Sequence, residues 1–289
     1  MGEITMKRLK GTVLLLLAFV MVGVFAVVGP AVAETIGDAV YANNSAEINW
    51  GGLSISGALT EYGDYYSWSR AYTTDYWGLP ASPETPPYFS DYKDDGSPTS
   101  ISASSGSVAD NNFSSASSST SASVISTFAK AVASVPGDAF SADGLAQRGQ
   151  AYLLDSTETF TFSIPYQISQ ILHAYTDTAN AGYAYGYVRA WLQLRLYNSV
   201  TREYEQIGKL DTQYEVHNLS YDNFTLNPPL AGTLSLLYAG TAGQYILLEA
   251  GVDARSAVQK DVVPIPGAAW LLLSGLLGLV GVKRFGKDS

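Results

Sequence analysis

Residues 183–197 read "YAYGYVRAWLQLRLY", and their alternation decides the fold. Even positions are Ala184, Gly186, Val188, Ala190, Leu192, Leu194 and Leu196. Odd positions are Tyr183, Tyr185, Tyr187, Arg189, Trp191, Gln193, Arg195 and Tyr197. A period of two held over this length describes a β-strand, because successive side chains leave a strand on opposite sides. One face is small and aliphatic and suits a core. The other is aromatic and cationic.

The same period recurs on both sides of this stretch. Phe160, Phe162 and Ile164 alternate with Thr159, Thr161 and Ser163, and Ile246, Leu248, Ala250, Val252 and Ala254 alternate with Tyr245, Glu249, Asp253 and Arg255. "GTLSLLYAG" and "YEVHNLSY" give shorter strands, "AEINWGGLSISGAL" has strand character, and "TDTANAG", "LNPPLAG" and "GTAGQ" supply turns. Several strands at this spacing, with no convincing amphipathic helix, predict an all-β chain: an antiparallel β-sandwich of jelly-roll or immunoglobulin-like form. Residues 34–260 form its body. Within it, 70–112 is rich in Ser, Tyr and Pro and reads as a long, irregular, mobile loop. "SSSTSASVISTF" alternates small and larger residues and reads as a strand with a thin apolar face.

Both ends of the chain differ in kind from the body. Lys7, Arg8 and Lys10 precede an apolar run from Gly11 to Val28, and Ala31-Val32-Ala33 follows. That is the pattern of a secretory signal peptide over 1–33, with a signal helix and cleavage between Ala33 and Glu34. The Sec translocon and signal peptidase are its expected partners. Near the other end, Val262 to Val282 is apolar, and at about 1.5 Å per residue it spans a hydrocarbon core of roughly 30 Å as a transmembrane helix. Lys283, Arg284 and Lys287 close it, which places the stub on the cytoplasmic side and the body outside. Pro264 and Pro266 bracket Ile265 just before the span, keeping the backbone there extended.

The ordered tail of 262–287, with Val263-Pro264-Ile265-Pro266, an apolar span and a basic end, resembles the PEP-CTERM sorting signal of Gram-negative bacteria. The Glu of the commonest form is absent, and "VPIPGAAWLLLSGLLGL" is closer to the variant subclass written Val-Pro-Leu-Pro-Ala. The resemblance implies an exosortase-type membrane enzyme that reads and cleaves the tail. It also implies transient anchoring in the inner membrane, and a final place at the cell surface or in an exopolysaccharide matrix. It covers less than a tenth of the chain and says nothing of the body.

The body carries ten Lys and Arg against 24 Asp and Glu, close to −14, whereas the whole chain is −10. Such a balance disfavours nucleic acid, whose binding rests on cationic contacts with phosphate. There is no cysteine, so neither disulfides nor thiol chemistry contribute. Twenty Tyr and five Trp stand against two His, His173 and His217, neither of them in a recognisable catalytic motif. "DYKDDGSPTS" (91–100) has acids at some calcium-loop positions, but Lys93 stands where a ligand oxygen is needed, and it reads as a solvated acidic turn. Glu249 with Asp253, or Glu203 with Glu205, can be paired on paper for glycoside hydrolysis, but spacing along one strand does not create opposed carboxyls. No cofactor, metal or catalytic residue is expected, and the chain reads as a non-enzymatic, exopolysaccharide-associated structural protein.

One rival reading is a carbohydrate-binding module whose glycan face is Tyr183, Tyr185, Tyr187, Arg189, Trp191 and Arg195. Rings of this kind stack on sugars, while the guanidinium groups bond hydroxyls or carboxylates. Packing of the same face against another part of the chain competes with that use. A secreted hydrolase is the third reading.

Overall fold

The computed structural model describes residues 39–63, 65–74, 89–95, 97–174, 182–220, 223–226 and 229–261, and for 211–220 the backbone alone. The signal segment, the cleavage site and the sorting tail lie outside these residues. Among the described residues no helix is long and apolar enough to cross a membrane.

The chain runs β1 (Val40–Asn49), a single 3-10 turn (Trp50–Gly52), β2 (Ser54–Ser56), β3 (Leu59–Glu61), β4 (Tyr66–Thr74), β5 (Phe89–Lys93), β6 (Thr99–Ser107) and β7 (Asn112–Thr120). It continues through β8 (Val124–Ala133), β9 (Ala139–Leu154), β10 (Glu158–His173), β11 (Gly182–Asn198), β12 (Glu203–Ser220), β13 (Asn223–Thr225), β14 (Leu230–Gly240) and β15 (Tyr245–Lys260). These build two antiparallel sheets. The first has the order β13-β10-β1-β8-β7-β6, with β14 and β2 also pairing β10. The second has the order β12-β11-β15-β9-β4-β5, with β3 also pairing β9.

The even face of β11 points inward, as the alternation predicts. Ala184, Val188, Ala190 and Leu192 are fully buried, and Leu194 nearly so. Val188, Ala190, Leu192 and Leu194 meet Phe160, Phe162, Ile164 and Ile168 of β10, Ile48 of β1, Ile125 of β8 and Ile246 and Leu248 of β15 in one cluster drawn from both sheets, and Ala184 joins a second cluster with Val40, Leu172 and Val258. Each of the Val, Leu, Ile and Phe side chains contributes about 1.5–3 kcal/mol by leaving water, and this core holds the sandwich without disulfides.

The far side of the sandwich corrects part of the expected irregular stretch of 70–112. Residues 75–88 and 96 of it lie outside the described residues; the described ones include the end of β4, all of β5 and β6, and the first residue of β7, so most of the described part is strand. "SSSTSASVISTF" is likewise not one strand. β7 ends at Thr120, Ser121 Oγ accepts from the Val124 amide at 2.9 Å, and β8 begins there. Small residues let the two sheets approach here, over a thin layer of Ala71, Ala103, Ala116, Ala129, Ala142 and Ala254. Hydroxyls then bond within and between the layers: Ser69 to Thr99 at 2.6 Å, Thr99 to Thr120 at 2.8 Å, and Ser118 to Thr127 at 2.8 Å. A Cβ on Gly144 would lie 2.3 Å from Thr127 Oγ1, which shows how close the layers are. Serine-rich sequence folds because its hydroxyls are satisfied inside, replacing bulk with hydrogen bonds.

Candidate functional site

Directly paired residues share a face, so the register fixes what lies on the outer surface of the second sheet. Trp191 pairs Gly251, Gly251 pairs Gln147, Gln147 pairs Trp68, and Trp68 pairs Tyr92. On one side of that row lie Gln193, Glu249, Gly149 and Tyr66. On the other side lie Arg189, Asp253, Leu145 and Arg70, followed by Tyr187, Arg255, Asp143 and Tyr72.

Three carboxylates are buried beneath this surface. Asp143, Glu249 and Asp253 are 6%, 6% and 1% exposed, and each ties strands together. Asp143 on β9 binds Arg70 Nη2 of β4 at 2.9 Å and Arg255 Nε of β15 at 3.1 Å. Asp253 on β15 accepts from Arg189 Nε at 2.9 Å and from its Nη2 at 2.5 Å. Glu249 accepts from Gln193 at 2.7 Å and from the Tyr66 hydroxyl, with Arg195 Nε at 3.3 Å. Burial holds the Asp253 carboxyl above the ordinary carboxylate range, and the neighbouring Arg189 works against that shift. Burial and the Glu249 charge raise the Tyr66 phenol, so it stays protonated and donating.

Four of the body's six arginines therefore stand on one face, fixed by acids beneath them. The side chains of Arg195 and Arg255 are each 39% exposed. Rings lie among them. Arg70 sits 5.9 Å from the Trp68 ring centre and Arg255 5.2 Å from that of Tyr187. Tyr92 stacks on Tyr66 with centroids 6.2 Å apart and is itself 59% exposed.

The candidate glycan residues of β11 divide in this setting. Tyr183, Tyr185, Tyr187, Arg189 and Arg195 are partly exposed along the outer face. Trp191 is on that face too, but it is only 7% exposed and lies over Gly251, where a Cβ would come 2.4 Å from the indole. This corrects the expectation of Trp191 as an open stacking platform: the missing side chain of Gly251 lets the indole sink onto the sheet. Its N–H has no acceptor among the described residues. Sequence reasoning passes over Tyr66, Trp68, Tyr92, Arg70 and Arg255, because only strand pairing brings β4, β5 and β15 beside β11.

The remaining candidate groups stand elsewhere. Glu249 and Asp253 share a face of β15 but each is held by its own arginine. Glu203 and Glu205 are at the start of β12, at the sheet edge. His173 stacks on Tyr41 at 5.1 Å on the other sheet, and His217 is in β12. Asp95 accepts from the Ser97 amide at 3.0 Å in the turn after β5. Among the described residues no three His, Asp or Glu side chains are grouped to hold a metal ion. On the first sheet, an open depression of about 310 Å³ is lined by Ser102, Ser104, Ser115, Ser117 and Phe128, with no charged side chain.

Fold and face together define an all-β protein of two antiparallel sheets bearing an arginine-rich, aromatic outer surface. No protein-family model matches the chain, and no curated protein matches it.

Proposed function

We propose that this chain is a non-enzymatic, exported envelope or extracellular-matrix protein whose body holds acidic exopolysaccharide on the outer face of the second sheet. Export and sorting are supported by the sequence of the two ends: the charged and apolar leader before Ala31-Val32-Ala33, and the Val263–Pro266 motif, apolar span and Lys283, Arg284, Lys287 cluster. An exosortase-type enzyme is the proposed reader of that tail. The observation that carries the sugar contact is the gathering of Arg70, Arg189, Arg195 and Arg255 on one face of a body that is otherwise strongly acidic. Guanidinium forks match sugar carboxylates, and Tyr92 and Trp68 supply rings beside them.

Within the sandwich class, the strand order favours the jelly-roll form over the immunoglobulin-like one. From β8 onward the chain changes sheet at β8 to β9, β9 to β10, β10 to β11, β12 to β13 and β14 to β15. Its central strands then lie as β8-β1-β10-β14 against β9-β15-β11-β12. The N-terminal strand β1 fills the place that the last strand takes in an ordinary jelly roll. Fold alone assigns no activity, and the sugar contact is proposed from the residues of the face.

Titration calorimetry with a uronic-acid polysaccharide and with neutral dextran tests the contact. Arg195→Gln and Arg255→Gln leave Glu249 and Asp143 their other partners, so the fold should persist while affinity for the acidic polymer falls about tenfold each, the equivalent of about 1.4 kcal/mol. Equal retention of dextran would refute the acidic-sugar reading, and release of reducing ends would favour a hydrolase. For sorting, the mass of the mature C-terminal peptide decides: a terminus near Val263 supports cleavage, and an intact Ser289 makes the tail a plain anchor.

A further inference from the structure

The two sheets end differently. In the second sheet, edge strand β5 carries Asp91 and Lys93, and edge strand β12 carries Glu203, Glu205, Lys209, Asp211 and Glu215. Charged edge residues discourage pairing with another chain. The first sheet has no such protection. Its edge strand β6, "TSISASSGS", and its opposite edge strand β14, "LAGTLSLLYAG", contain no charged residue and no proline. Pro228 and Pro229 stop just short of β14. Beyond β6 and beyond β14, no further strand pairs with this sheet among the described residues.

We infer that this chain assembles with copies of itself, the β6 edge of one copy pairing with the β14 edge of the next to continue the first sheet from molecule to molecule. Three features lead there. First, every pairing from β14 through β10, β1, β8 and β7 to β6 is antiparallel, so the two end strands run in opposite directions. A copy displaced along the sheet therefore presents β14 antiparallel to β6, without being turned over. Second, the lengths fit. β6 offers nine residues, with the left-handed Gly106 (φ +80°) near its end, against the 11 residues of β14. Third, the outward side chains complement each other. β6 offers the exposed Ser100, Ser102 and Ser104, and β14 offers Thr233, Ser235 and Leu237, the last 73% exposed. A β6–β6 pair would set serine against serine, with little of the cross-strand contact that stabilises sheets. Head-to-tail pairing of two different edges by displacement along the sheet, with no rotation that closes a ring, grows into an open filament.

The second sheet sets the conditions. At each junction the acids of β5 and the following turn, Asp91, Asp94 and Asp95, approach the acid-rich β12 of the neighbour, and their repulsion opposes assembly. Screening removes it, so growth belongs at high ionic strength. The inference rests on the first sheet alone and stands whether or not sugar is bound.

The absence of cysteine makes the test direct. Full-length Ser102→Cys and Ser235→Cys chains, with Val200→Cys as an exposed control off both edges, are oxidised in about 1 M NaCl, where the screening length is about 3 Å. Head-to-tail pairing predicts three results on non-reducing gels. Each single variant alone stays at the control level, a mixture of the two gives a disulfide-linked dimer, and the double variant gives a ladder. Neighbouring positions, Ser100 or Ser104 with Thr233 or Leu237, allow for a shifted register. Homodimers from either single variant would overturn the head-to-tail arrangement. Mixtures and double variants that all stay at the Val200→Cys level would overturn assembly through these edges altogether.

Discussion

Gly149 is the point where the outer face of the second sheet can be tested most sharply. It pairs with Tyr66 on one side and Glu249 on the other, and a Cβ built on it would meet three atoms of the Tyr66 ring at 2.2, 2.8 and 2.9 Å. Carbon atoms rest about 3.5–4.0 Å apart, so Gly149→Ala must push the ring back by more than about 1 Å. Overpacking of this kind costs about 1–3 kcal/mol. The displaced phenol also loses its hydrogen bond to buried Glu249, and bonds to charged groups contribute about 1.5–3 kcal/mol. Allowing for partial relaxation, the expected loss is about 2–4 kcal/mol, a fall in Tm of roughly 5–15 °C for a body of this size. In a Tyr66→Ala background the obstacle is gone. The same substitution at an extended glycine should then be neutral or stabilising by about 0.4–1 kcal/mol, through the unfolded chain. The double-mutant cycle, followed by urea unfolding, should give a coupling of about 3 kcal/mol. Losses that agree in the two backgrounds within about 0.5 kcal/mol would refute the placement of the ring over Gly149.

Two other substitutions probe the space between and beside the sheets. Gln170 is fully buried and neither amide atom finds a partner among the described residues, so Gln170→Leu should raise stability by about 1–2 kcal/mol in the same unfolding assay, and a loss would show that the amide is satisfied. Burial lowers the His173 pKa below its ordinary value of about 6.5, so the unfolded chain binds the proton more tightly. Stability should therefore be full above about pH 6.5 and decline as pH falls through the window beneath it, and His173→Gln should flatten that slope in melts taken between about pH 5 and 7. A slope unchanged by the substitution would assign it to other groups.

Sequence alone determined the class of fold. The alternation in 183–197, repeated around Phe160–Ile164 and Ile246–Ala254, named residues that do lie in the core, because a strand's two faces are fixed by covalent geometry and need no neighbour to be read. The export and sorting readings also belong to sequence, since they depend on order and composition along the chain. Only tertiary structure decided the rest. The serine-rich segment showed only a thin apolar face in its sequence, and its hydroxyls find partners in other strands, which local sequence cannot display. Trp191 had the right face but the wrong exposure, because the space it fills is provided by Gly251, 60 positions away and directly paired across β11 and β15. The arginine face assembles from β4, β11 and β15, with β9 supplying an acid, and the bare edges of the first sheet exist only once it is known which strands come last. Each of these depends on which strands become neighbours, and pairing between distant segments is settled by the packing of the whole sandwich rather than by any one stretch of it.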